Sequence, residues 1–189
     1  TDYIGTFASS VQLKGKGNVI SHCTLRRSGR TVIDYGDMYK SLVQYCDMSE
    51  SGLLTSDLGL TYGSSIEGGN SEVRYNWLHD NVAKHVNVGL YFDHGCRNVL
   101  FHHNVIWSAK DYGMINNQYG NYLLYYNNTV SDAKWSYRST WAAGQAKDLY
   151  GCQVINNVGT SELMTDGEGN LTSHNTWQFE GLREKRFPK

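Results

Sequence analysis

Apolar residues alternate with polar ones inside short segments of this 189-residue chain, and the segments themselves recur. GNVISHCTL (17 to 25), KSLVQYCDM (40 to 48), NSEVRYNWL (70 to 78), NVLFHHNVI (98 to 106), YLLYYNNTV (122 to 130), CQVINNVG (152 to 159) and NLTSHNTW (170 to 177) share one template. An apolar pair at alternate positions precedes two polar or aromatic residues, then Asn or Cys, then another apolar residue two further on. The recurring position holds Cys23, Cys46, Asn76, Asn104, Asn128, Asn157 and Asn175, at intervals of 23, 30, 28, 24, 29 and 18 residues. Such intervals fit the coils of a β-solenoid. Period-2 alternation turns Val99 and Phe101 inward and Leu100 and His102 outward.

Ahead of the templates runs a second set of strands: TVIDYGD, TYGSSIEGG, VGLYFDHG, YGMINNQYG and SELMTDGEG. Each starts with apolar alternation and ends in a carboxylate or amide beside glycine. The single proline, Pro188, suits strands that must each donate to a neighbour. An inward Asn in every coil can bond the amides of the coils above and below, and Cys is small enough to take the same place without a partner. The expectation is an all-β chain: a parallel β-helix of about seven coils with an inward Asn/Cys ladder. It forms one domain over 1–189, with repeats over about 17–177 and a C-terminal extension or cap at 178–189. A fragment of a longer chain is one reading of a sequence that starts at Thr1.

Charge and composition then remove several function classes. The 17 Lys+Arg against 18 Asp+Glu give a net charge of −1, without the basic excess that nucleic acid demands. No apolar run approaches the roughly 18 residues of a membrane helix. The four cysteines have no zinc-ligand spacing and imply no metal; free thiols are expected. Asn127 and Asn170, each in an Asn-x-Thr triplet, lie inside the template and read as structural.

GLYFDHGCRNVLFHHNVIW followed by LLYYNNTV, with the repeating Asn, resembles the right-handed parallel β-helix proteins of the pectate-lyase-like superfamily. More narrowly, it is similar to β-helix repeat regions of bacterial secreted polysaccharide-degrading proteins, some of them glycoside hydrolases. The resemblance covers about residues 17 to 177. It implies a polysaccharide or oligosaccharide partner and a secreted, cell-surface or periplasmic location. The acidic calcium cluster of pectate lyases and the Lys and Arg pair of chondroitinase-like lyases are not matched. No cofactor is therefore expected, calcium entering only if the reaction is an elimination.

In-register stacking would put Asp34, Glu67, Asp93, Asn116 and Asp166 in one outward column at the ends of the second strands. Neighbouring coils lie about 5 Å apart and alternate coils about 9 to 10 Å. Retaining glycosidases hold their carboxyls about 5 to 5.5 Å apart and inverting ones about 6.5 to 9.5 Å, so Glu67 with Asp93 suits the first and Asp34 with Asp93 the second. Asp and Glu beside Gly are also ordinary turn chemistry. Asp93, Glu67 and His94 are the catalytic candidates, His94 because it follows Asp93 in a Gly-bounded bend where an imidazole can reach substrate. Expected around them as substrate-binding residues are His79, His102, Arg74, Tyr91, Trp107 and Tyr125. Fourteen Tyr and five Trp exceed what a narrow solenoid can bury, and outward rings suit sugar faces. Residues 49 to 62 and 131 to 147 read as long inserts able to build a cleft.

Three readings follow: carboxylate-assisted glycoside hydrolysis centred on Asp93; a polysaccharide lyase using Lys84, Lys110, Arg97 or Tyr112 as base; and a non-catalytic carbohydrate-binding or adhesion solenoid.

Overall fold

In the computed structural model, residues 8–139, 149–160, 162–163 and 170–177 are described. They fold into three parallel sheets of seven strands each, and every coil contributes one strand to each sheet in turn. The coil that carries the histidine cluster runs Asn87–Phe92, Arg97–His102 and Val105–Trp107, one strand in the first, second and third sheet respectively. One continuous core runs from Leu13 to Val154 and includes Val99, Phe101, Tyr125 and Ile106, all almost wholly excluded from solvent.

The template explains the sharp bend between the second and third sheets. Its residue before the ladder position is left-handed in every coil: His22, Tyr45, Tyr75, His103, Asn127, Asn156 and His174 have φ between 52° and 56°. Non-glycine residues avoid that region at a cost of about 1 to 2 kcal/mol each, so each bend needs compensation, and the ladder supplies it. Asn104 Oδ1 accepts the backbone N–H of Asn76 at 3.1 Å and its side-chain amide at 3.0 Å. Its own amide donates to Val73 O at 2.9 Å and to Asn128 Oδ1 at 3.0 Å. The same pattern repeats at Asn76, Asn128 and Asn157 and ends on Asn175. In the first two coils Cys23 and Cys46 turn back on themselves, each thiol donating to the carbonyl two residues earlier.

Three strands depart from the reading of the sequence. Ser9–Lys16 precedes the first template and pairs with Thr31–Tyr39. Trp135–Ser139, inside the stretch read as an insert, is the sixth strand of the first sheet and pairs with Tyr112–Asn116. Likewise Leu58–Gly63, overlapping the other supposed insert, is a regular first-sheet strand. First-sheet strands lack the Asn ladder that marks the other bend, so nothing in the template flags them.

Candidate functional site

The first sheet buries its inner face in the core and also carries a second, smaller apolar cluster on its outer side, formed by Tyr62, Val88, Tyr91 and Ile115 with Val86 and Tyr112 packed against it. Register aligns an outward column across this face: Gln12, Asp34, Tyr62, Tyr91, Ile115 and Arg138. Tyr62 and Tyr91 meet edge to face with centroids 5.3 Å apart. Arg30, on the loop before its strand, places its guanidinium 5.1 Å from the Tyr62 ring centre. Arg138 lies over the Tyr112 ring and donates to its hydroxyl.

Asp93 closes this face where the first sheet bends toward the second. Its Oδ2 accepts the Tyr62 hydroxyl at 2.8 Å, and its Oδ1 accepts the Asn117 amide at 2.7 Å and lies 2.9 Å from His94 Nδ1. The carboxylate is thus oriented by one neighbour from each adjoining coil, yet 18% of its side chain stays accessible and His94 is about half exposed. Burial, followed by the bond to Asp93, raises the Tyr62 pKa and keeps it a donor. Burial likewise raises that of Tyr91.

Asp34, two coils back, is level with Tyr62 and Tyr91 rather than with Asp93 as expected, and is only 2% exposed. One carboxylate oxygen accepts the Gly36 N–H at 2.8 Å, while Oδ2 is buried and makes no hydrogen bond within 3.5 Å among the described residues, the Gln12 side chain standing nearby. Burial pushes its pKa above the usual carboxylate range, against the opposing pull of Gly36 and of the Arg30 charge. Arg30 Nε is also buried and unsatisfied.

Register corrects the expected carboxylate column. Phe92 pairs with Gly63 and Asn116, so the positions level with Asp93 are Ser64 and Asn117. Glu67 instead opens a second-sheet strand and pairs with Arg97. Arg97 Nε lies 2.6 Å from one of its oxygens, and the Asn98 amide donates to the other at 2.8 Å. That bond to Asn98, with smaller help from Gly69 and Arg97, lowers the Glu67 pKa. Asn116 turns inward and donates to Cys152 Sγ. Asp166 lies outside the described residues.

The remaining candidates scatter over other faces. Tyr125 is inward and wholly buried, stacked on Phe101, and so cannot meet a substrate; the outward residue at that level is Tyr126, which pairs with His102. Arg74 and His102 belong to a polar ladder outside the second sheet, with Ser21 and Gln44. Arg74 donates to Gln44 Oε1 and lies 2.7 Å from Glu72, while His102 stacks on Tyr126 with centroids 4.5 Å apart. His79 and Trp107 stack on the third sheet, their planes 2° apart. Of the catalytic and substrate-binding candidates, only Asp93, His94 and Tyr91 share the first-sheet site. Arg30, Asn117 and Arg138 were not singled out: a lone Arg or Asn in a loop carries no periodic signal, and Arg138 falls in the strand taken for an insert.

A family model described as a right-handed beta helix region matches residues 3–130. No curated protein and no solved structure matches the chain.

Proposed function

The chain belongs to the right-handed β-helix family, and we propose that its first-sheet outer face binds a polysaccharide or oligosaccharide and cleaves it by carboxylate-assisted hydrolysis. One observation carries this reading: Asp93, still open to solvent, is fixed by Tyr62, Asn117 and His94 beside a wall of tyrosines. A carboxylate held from both adjoining coils is pre-set in direction, which is what a base or nucleophile needs at a sugar carbon. The exposed Tyr119, its ring 6.4 Å from that of His94, offers an aromatic face suited to sugar beside Asp93.

Asp34 does not supply a complementary acid: it is 2% exposed and level with Tyr62 and Tyr91. Two coils of stacking and two residues of rise put it roughly 11 to 12 Å from Asp93, beyond the separation of paired glycosidase carboxyls. Asp93 takes a proton from an attacking water, and the leaving oxygen takes its proton from solvent. His94 and Tyr62 act as positioning residues.

Elimination is the second reading, because Arg138 donates to the Tyr112 hydroxyl. A tyrosine beside a guanidinium can abstract a proton while the cation neutralises a uronate carboxylate. Incubation with a glycan panel, following reducing ends together with the absorbance of unsaturated uronates, tests both. Reducing ends without unsaturation support hydrolysis; both together support elimination; neither, from any glycan, overturns the enzyme reading.

A further inference from the structure

Away from the Asp93 face, at the bend into the third sheet, three large rings stand in solvent together: Tyr45 at 48%, Tyr75 at 40% and Trp77 at 51% exposure. With Cys46 and Asp47 they line a hollow of about 330 Å³. Contiguous exposed aromatics on a soluble fold mark a contact surface more often than chance placement does. The left-handed bend produces this one, since Tyr45 and Tyr75 occupy equivalent positions in adjacent coils and stack with centroids 5.3 Å apart and planes 7° apart. Their faces cover each other, so solvent meets their edges, and Trp77 supplies the separate indole surface.

The polar member of the hollow is held in place. Asp47 lies opposite Trp77 in the third-sheet register, and its Oδ1 is 2.8 Å from His79 Nε2. His79 is fixed in turn by Asp80 at 2.8 Å and by the Trp107 ring stacked 4.2 Å away. The Asp47 carboxylate is therefore an oriented hydrogen-bond acceptor beside an exposed indole.

We infer that the hollow formed by Tyr45, Tyr75, Trp77 and Asp47 is a second glycan-binding site, holding a sugar unit of a polymer away from the Asp93 face. A pyranose has an apolar face for Trp77 and hydroxyl donors for Asp47. Aromatic grooves also take extended proline-rich peptides, but these present carbonyl oxygens and need donors along the groove. A carboxylate repels such carbonyls and accepts from hydroxyls, so the charge at Asp47 selects the sugar. The ligand class rests on the glycan reading above; the location does not.

Retardation in native gels containing soluble glucans, xylans, mannans or uronate polymers tests this without requiring turnover. At least one polymer should retard the wild type and Asp93→Asn alike. Trp77→Ala and, independently, Tyr75→Ala should weaken that retardation at least about tenfold, as loss of an aromatic anchor does, with circular dichroism unchanged. A wild type that no polymer retards, Trp77→Ala retained like the wild type, or a proline-rich peptide bound through Trp77 in place of any glycan would each overturn the site. Retardation by a polymer, with no polymer of the panel cleaved, would overturn the enzyme reading while supporting this inference.

Discussion

The Tyr62 hydroxyl donates to Asp93 Oδ2 across 2.8 Å, from the first-sheet strand of the preceding coil. Stacking of consecutive coils is therefore what orients the carboxylate, and removing the donor should disturb chemistry more than architecture. Tyr62→Phe is expected to lower kcat about tenfold with KM little changed and a stability loss of about 1 kcal/mol, the usual cost of one hydrogen bond. Steady-state kinetics and urea unfolding check this. Unchanged kcat with the same stability loss would make the bond purely structural.

Asp34 gives a pH-dependent expectation whose sign is fixed by its raised pKa. The folded state binds the Asp34 proton more tightly than the unfolded state does. Its ionisation therefore costs stability as pH rises through the ordinary carboxylate range and up through the raised folded value. Asp34→Asn removes that cost. The variant should be at least as stable as the wild type at pH 7, with its advantage shrinking as the pH is lowered below the usual carboxylate range. Turnover should stay within a few-fold of wild type, because the buried Asp34 carboxyl does not reach substrate. Urea midpoints measured across pH, paired with rates, test the two halves separately.

Asn104→Leu should be strongly destabilising. It removes four ladder bonds and leaves the Asn76 N–H and Val73 carbonyl without the partners they have now. A cost of at least about 1 to 3 kcal/mol is expected for buried groups left unpaired, visible as a lower urea midpoint. A neutral effect would mean that water replaces the amide.

Glu67→Gln is expected to leave turnover within about twofold and stability within about 1 kcal/mol, because its ion pair with Arg97 is about half exposed on both sides and screened by solvent. A hundredfold fall in rate would restore Glu67 as the second carboxylate.

The second and third sheets were legible in the sequence because their bend repeats a chemical demand. Asn76, Asn104, Asn128, Asn157 and Asn175 all solve the same buried-amide problem, so they recur visibly. First-sheet register was not. The bend after Asp93 has no fixed residue to anchor an alignment, and matching carboxylates beside glycines shifted Glu67 three places from Ser64, the residue level with Asp93. A facing error followed: Tyr125 was expected among the substrate-binding residues, although Tyr126 is the register mate of His102 and Tyr125 points into the core. Asp93 and His94 were singled out because an acid–imidazole pair flanked by glycine stands out locally, whereas Arg30 comes near Tyr62 only through folding.

The central claim, that Asp93 performs the chemistry, is tested most directly by comparing wild type and Asp93→Asn on a glycan that the wild type cleaves, with turnover and binding both measured. Asparagine keeps the shape and part of the hydrogen bonding with Tyr62 and Asn117 while removing the charge. The account predicts a fall in turnover of about a hundredfold or more with glycan binding retained. Turnover within a few-fold of wild type in a folded Asp93→Asn protein would contradict it.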